Sequence, residues 1–163
     1  MATLVRAFAT PELAGVALRI AGAATAAERT ALADLAAGLG VRLEQLGLVD
    51  DAALARLYAG ARAVALPSLH EGFGLPLLEA LAAGTPAVAS SIAAHREVGA
   101  DAARFVEDPL NPAAWARELT AAFSGGDAPA RSAAGLRRAE YYTWDGAADD
   151  LLALLEEAIA AKP

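Results

Sequence analysis

Two glutamates stand eight residues apart in the stretch SLHEGFGLPLLEALAAG, which runs from Ser68 to Gly84. Glu71 falls in a predicted loop, and Glu79 falls about one turn into the helix predicted to follow it. Because helical side chains lean toward the helix N-terminus, the Glu79 carboxylate can point back at the loop. The two carboxylates can therefore accept hydrogen bonds from hydroxyl groups of a ligand that binds over this loop.

Backbone amides supply hydrogen-bond donors between these two acceptors. The N–H groups of Gly72, Phe73, Gly74 and Leu75 are expected close to the start of the helix, whose positive dipole end attracts anions. Pro76 has no N–H, so the donors precede it. The glycines allow the backbone to approach a ligand closely. Amides that donate to phosphate oxygens, beside carboxylates that accept from sugar hydroxyls, indicate a site for a polyol phosphate.

Each of these residues, taken alone, also fits a structural role. Glu79 can simply interact favourably with the positive end of the helix dipole, and Glu71 or His70 can be a solvated loop residue. The pair Gly72-x-Gly74 is only a fragment of a dinucleotide-binding fingerprint, because no third glycine follows at the required spacing. Two other classes of function stay open. One is a binding module without catalysis, and the other is a glycoside hydrolase whose two carboxyl groups stand about 5 Å or about 6.5–9.5 Å apart.

Composition limits the remaining possibilities. The chain has 163 residues and is predicted to form one domain over residues 1–163. Its net charge of −7 argues against a nucleic-acid partner. It has no cysteine, which excludes disulfides and thiolate metal sites, and no metal site is predicted. The N-terminal residues lack the apolar core of a signal peptide, so a soluble, cytoplasmic location is expected.

Short apolar runs alternate with helical patterns along the chain. This order predicts an α/β fold, namely a Rossmann-like parallel sheet with helices on both faces. Ligands of such sheets bind at the carboxyl ends of the strands, and Ser68–Gly74 follows one such end. The predicted strands are 16–22, 41–46, 63–66, 86–89 and 104–106. The predicted helices include 1–8, 25–39, 50–58, 76–83, 111–123 and a closing helix at about 143–161, with a Gly/Pro loop at 124–130.

The stretch PSLHEGFGLPLLEALAAGTPAVAS resembles the donor-site signature of retaining glycosyltransferases of family 4, also called group 1, which have the GT-B fold. The signature is a glutamate, seven residues and a second glutamate, with Gly-Phe-Gly after the first; here it runs from Glu71 to Glu79. The segments LRIAG, RLEQLGLVDDAALARLYAGARAVALPS and HREVGADAARFVEDPLNPAAWA resemble the family in order and spacing. The resemblance covers nearly the whole chain.

This resemblance implies a role for each site residue. Glu71 would be the catalytic residue, contacting hydroxyls of the transferred sugar, and Glu79 would accept from the ribose hydroxyls of the nucleotide. The donor site would also include Gly72 and the amides of Phe73, Gly74 and Leu75, which would hold the sugar and the diphosphate. The residues expected on the base side are Gly47, Leu48 and Val49, and the accessory residues are His70 and His95.

The resemblance also implies partners and a domain organisation. The substrate would be a nucleotide sugar that donates a hexosyl group such as mannose or glucose, with no cofactor and no metal required for transfer. The chain resembles only the carboxyl-terminal, donor-binding half of such enzymes. We therefore expect that an N-terminal acceptor-binding domain and the first strand of the sheet are missing and that this fragment alone is inactive. The intact parent could be membrane-peripheral.

A sheet without its first, central strand would have an open edge. The two strands that flank the gap are expected either to pair directly with each other or to take a strand from a neighbouring chain.

Overall fold

The computed structural model describes residues 1–161 and consists of parallel strands and α-helices, which confirms the predicted α/β class. The strands are Leu18–Ala21 (β1), Leu43–Gly47 (β2), Val64–Leu66 (β3), Ala87–Ser90 (β4) and Arg104–Val106 (β5). The helices are Ala2–Phe8 (α1), Ala26–Leu39 (α2), Asp51–Gly60 (α3), Leu75–Ala82 (α4), Ala93–Gly99 (α5), Pro112–Ser124 (α6), Ala128–Tyr141 (α7) and Trp144–Ala160 (α8). A short 3-10 helix lies at Pro11–Leu13.

Local sequence explains where several helices begin. The Thr25 side chain accepts from the amide of Glu28, whose carboxylate in turn accepts from the Thr25 amide at 2.8 Å, so α2 starts with a capping box. These bonds lower the pKa of Glu28. Asp50 caps α3, and Asn111 caps α6 immediately before Pro112. The predicted positions of these three helices therefore rest on recognisable start signals.

The strands form two sheets rather than the single sheet expected. One sheet has the order β1-β2 and the other has the order β3-β4-β5, and within residues 1–161 no ladder joins β1 to β3. Direct pairing of the two flanking strands, one of the two expected outcomes, is therefore wrong for the described chain. Apolar side chains connect the sheets instead, because Leu4 and Val5 of α1, Leu18 of β1 and Val88 of β4 belong to one core cluster.

Strand β4 separates two hydrophobic cores. Val88 belongs to the core formed with α1 and α6, whereas Ala87 and Ala89 belong to the core formed with α4 and α5. Successive side chains of a strand point to opposite faces of its sheet, which accounts for this division. Helices therefore cover both faces of the larger sheet, as predicted.

Two local features differ from the sequence prediction. Helix α5 was not predicted, since it has only seven residues and its first residue follows Ile92, whose side chain cannot cap a helix. The predicted loop at 124–130 is shorter, because α7 already begins at Ala128 with Pro129 in its first turn. The closing helix α8 lies where it was expected, but none of its residues is buried.

Residues 1–161 contain no helix that is both long enough and apolar enough to cross a bilayer.

Candidate functional site

The loop after β3 leads directly into α4 through Gly74. This residue precedes the first residue of α4 and has a left-handed backbone conformation, with φ of 98°. A Cβ at this position would approach Cδ2 of His95 to 3.2 Å. Glycine is therefore favoured here for two reasons, the backbone conformation and the close approach of the imidazole ring.

The predicted amide donors have no partner in the described part of the chain. Among residues 1–161, the N–H groups of Gly72, Phe73, Gly74 and Leu75 make no hydrogen bond. Helix α4 begins at Leu75, the last of them, and the Gly74 carbonyl accepts from the amide of Leu77 at 3.0 Å. The loop thus presents backbone donors at the positive end of a helix dipole, where an anionic or hydroxylated ligand is stabilised.

Glu71 lies in this loop with its carboxylate held from within the protein. Its Oε1 accepts from the hydroxyl of Ser68 at 2.6 Å and lies 3.8 Å from Nε2 of His95. The Glu71 side chain is 20% exposed, whereas the His95 side chain is completely buried. The structure therefore brings together Glu71, Gly74 and His95, at the carboxyl ends of β3 and β4. Ser68, its hydroxyl partner, was not predicted.

Glu79 lies in α4 and is exposed. Its Oε2 accepts from the hydroxyl of Tyr58, at the end of α3, at 2.9 Å. Burial of Tyr58, together with this bond and the nearby carboxylate charge, raises the pKa of the Tyr58 phenol. The phenol therefore remains a donor at neutral pH. Tyr58 was also missed, because a tyrosine in an Ala/Leu-rich helix gives no sequence signal beyond helix amphipathicity.

Phe73 contacts the segment that follows α7. Its ring packs edge-to-face on the ring of Tyr142 with centroids 5.4 Å apart, and Phe73 remains 40% exposed. This contact stabilises the loop by anchoring one of its side chains. The neighbouring Leu75 and His70 are exposed.

The residues predicted on the base side lie at the end of β2. Gly47 has φ of 69°, and its carbonyl accepts from the amide of Gly22 at 2.8 Å. Leu48 is 81% exposed and Val49 is half-buried. A groove of about 540 Å³ is lined by Gly22 and Gly47 but by no residue of the range 68–79. This groove therefore includes a base-side residue but not the glutamate loop.

Residues 1–161 contain no group of three or more histidine, cysteine, aspartate or glutamate side chains arranged to hold a metal ion.

The fold and the loop together define an α/β domain in which backbone amides and one glutamate precede a helix that follows a parallel strand, and a second glutamate lies within that helix. The chain belongs to the family described as glycosyl transferases group 1, whose sequence profile matches residues 1–137. This membership confirms the group 1 resemblance.

Similar proteins agree with this assignment. A D-inositol 3-phosphate glycosyltransferase of Salinispora tropica is 38% identical over 135 residues, which cover 80% of this chain and 28% of that protein. An MMP alpha-(1->4)-mannosyltransferase of Mycolicibacterium hassiacum is 40% identical over 121 residues, which cover 69% of this chain and 28% of that protein. The chain thus spans little more than a quarter of the length of either relative.

Among solved structures, a sucrose-phosphate synthase from Thermosynechococcus elongatus matches with a TM-score of 0.83 and 25% identity. The match covers 99% of this chain and 42% of that one. It confirms the expected fold of the GT-B type.

Proposed function

We propose that this chain is the donor-binding part of a retaining glycosyltransferase of family 4, which moves a hexosyl group from a nucleotide sugar to an acceptor. The observation that carries the proposal is the row of unpartnered amides at Gly72, Phe73, Gly74 and Leu75, with one carboxylate in the same loop and another in the following helix. A nucleotide sugar offers a diphosphate to such donors and hydroxyl groups to such acceptors.

The two glutamates have different tasks in this proposal. Glu71 accepts from hydroxyls of the transferred sugar, because it belongs to the loop itself. Glu79 accepts from the ribose, with Tyr58 fixing its second oxygen. The amides stabilise the negative charge that grows on the departing diphosphate, which is the main electrostatic demand of the reaction. Gly47, Leu48 and Val49 are proposed on the base side, and transfer is proposed to need no metal.

The curated relatives support transfer rather than hydrolysis, since both are named as transferases. One of them is named a mannosyltransferase, which supports a hexose such as mannose or glucose as the transferred group. We further propose that the acceptor is bound by a separate N-terminal domain, that the 163 residues alone transfer no sugar, and that the protein acts in the cytoplasm.

Calorimetric titration of the 163-residue chain tests the donor-binding part of the proposal. UDP-glucose, GDP-mannose and ADP-glucose are titrated beside the free nucleoside diphosphates UDP, GDP and ADP. We expect the compounds of one base, uridine, guanosine or adenosine, to bind. The affinity for the nucleotide sugar should be at least as high as that for the free diphosphate of the same base. Absence of binding throughout the panel would contradict the proposal. Binding by a longer protein that contains this chain, without turnover over a range of acceptors, would instead support a non-catalytic module.

A further inference from the structure

The two nitrogen atoms of His95 differ sharply in their surroundings. Nδ1 lies 3.0 Å from the carbonyl oxygen of Ser90, at the end of β4. A carbonyl can only accept, so Nδ1 carries a hydrogen and donates it. Nε2 is also buried, yet it has no hydrogen-bond partner among residues 1–161. Whether Nε2 carries a hydrogen therefore decides which hydrogen-bond partner this buried ring nitrogen needs.

Glu71 faces this unpartnered nitrogen. Its Oε1 lies 3.8 Å from Nε2, a separation that a small rotation of the glutamate side chain can close to hydrogen-bond length. If Nε2 carries no hydrogen, two acceptors face each other in a buried place, which is unfavourable. If Nε2 carries a proton, a donor faces a carboxylate, and the same geometry becomes favourable.

Several other charged groups around α5 have partners of their own. Arg96 of α5 pairs with Glu107, and Arg138 of α7 donates to backbone carbonyls of α5. Glu79 of α4 accepts from the hydroxyl of Tyr58. In the described part of the chain, Glu71 is the only carboxylate within 4.0 Å of His95.

We propose that His95 is a positioning residue for Glu71. A hydrogen on Nε2 is donated in a hydrogen bond to the Glu71 carboxylate, which also accepts from the Ser68 hydroxyl. The carboxylate is then held in place before a ligand arrives, so little conformational entropy is lost when it accepts from sugar hydroxyls. The benefit for sugar recognition rests on the proposed function; the contact between His95 and Glu71 does not.

Nuclear magnetic resonance on the free chain tests the contact without any ligand. The chain has two histidines, so His70→Asn leaves His95 as the only imidazole. In that background, we expect nitrogen chemical shifts that report a hydrogen on Nε2 as well as on Nδ1. Adding Glu71→Gln should remove the proton from Nε2 and leave Nδ1 protonated. A ring with an unprotonated Nε2 in both proteins would overturn the proposal.

Donor binding tests the consequence with two matched variants. In His95→Asn the side-chain amide can still donate to the Ser90 carbonyl, but no donor remains at the position of Nε2. In His95→Gln the longer side chain can place its amide group close to that position. Using whichever nucleotide sugar of the panel binds the unsubstituted chain, we expect His95→Asn to weaken its binding about tenfold and to spare the free diphosphate. His95→Gln should restore most of the loss.

A double variant separates positioning from a merely structural role. If His95 acts through Glu71, His95→Asn should weaken binding no further once Glu71→Ala is present. The proposal would be overturned if His95→Asn weakened nucleotide-sugar binding equally with and without Glu71→Ala. It would also be overturned if His95→Asn weakened binding of the free diphosphate as much as binding of the nucleotide sugar. If no nucleotide sugar binds the unsubstituted chain, the proposed function fails, and the magnetic resonance measurement alone decides the pairing of His95 with Glu71.

Discussion

The carboxylates of Glu71 and Glu79 are held by different hydroxyl groups, Ser68 for the first and Tyr58 for the second. This division predicts separable effects on binding. Glu79→Ala should weaken free nucleotide and nucleotide sugar alike, because both contain ribose. Glu71→Ala should spare the free nucleotide. A hydrogen bond to a charged group contributes about 1.5–3 kcal/mol, so calorimetry can resolve either loss. Equal effects of both variants on the free nucleotide would contradict the assignment.

Gly74 and Gly72 provide a matched pair for testing the loop backbone. Gly74→Ala places a Cβ 3.2 Å from the His95 ring at a residue with φ of 98°, whereas a Cβ on Gly72 meets nothing within 4 Å. We expect Gly74→Ala to lower the free energy of unfolding by about 1–3 kcal/mol, the usual range for strained backbone. Gly72→Ala should leave it nearly unchanged. Urea unfolding of both variants measures the difference, and similar stabilities would argue against strain at Gly74.

At the scale of elements, Asp127 connects the start of α7 to β5. Its carboxylate accepts from Arg131 at 2.7 Å and from Arg104 at 2.6 Å. These arginines hold the pKa of Asp127 below its usual value, Arg131 having the larger effect. A carboxyl group whose pKa is lowered by folding stabilises the protein above its unfolded-state pKa. That contribution is lost as the pH falls through the lower, folded-state pKa.

Asp127→Asn should therefore be less stable than the unsubstituted chain at neutral pH, and the difference should shrink as the solution is acidified below about pH 4. Urea unfolding at a series of pH values measures this dependence. Asp34→Asn, which removes one exposed charge from α2, controls for the change in net charge. A difference that stays constant down to strongly acidic pH would contradict the role given to Asp127.

Sequence patterns predicted some elements better than others, for physical reasons. Apolar runs such as 63–66 and 104–106 predicted strands, and capping residues such as Thr25 and Asn111 predicted where helices begin. Helix α5 has no capping side chain, so it left no such signal. The loop residues were predicted from their chemistry. Among their partners, Ser68 lies in the same loop and His95 was expected as an accessory residue. The contacts that Tyr58 and His95 make depend on how distant elements pack, which local spacing does not encode.

At the scale of the whole molecule, β1 and β3 each have an edge that is unpaired within residues 1–161. Unpaired backbone groups that become buried cost about 1–3 kcal/mol each, and open edges recruit strands from other chains. We therefore expect the 163-residue chain to self-associate with rising concentration, which light scattering after size-exclusion chromatography measures.

Helix α8 offers a competing surface, since Leu152 and Leu155 are 58% and 51% exposed. A double change of these residues to glutamate should leave association through the sheet edges intact. Loss of association in that variant would assign it to α8 instead, and a monomer at every concentration would contradict the prediction.

The division into two sheets also bears on how the native state opens. Backbone hydrogen bonds make a sheet a cooperative unit, but within residues 1–161 no ladder joins β1-β2 to β3-β4-β5, and side-chain packing links them. The smaller sheet can therefore unfold locally while the larger one stays intact, as separate foldons do. In hydrogen–deuterium exchange, amides of β4, paired on both sides, should exchange most slowly, and those of β1 and β2 should exchange earlier and together. If the amides of all five strands exchanged with the same free energy of opening, the domain would unfold as one cooperative unit, and the prediction would be wrong.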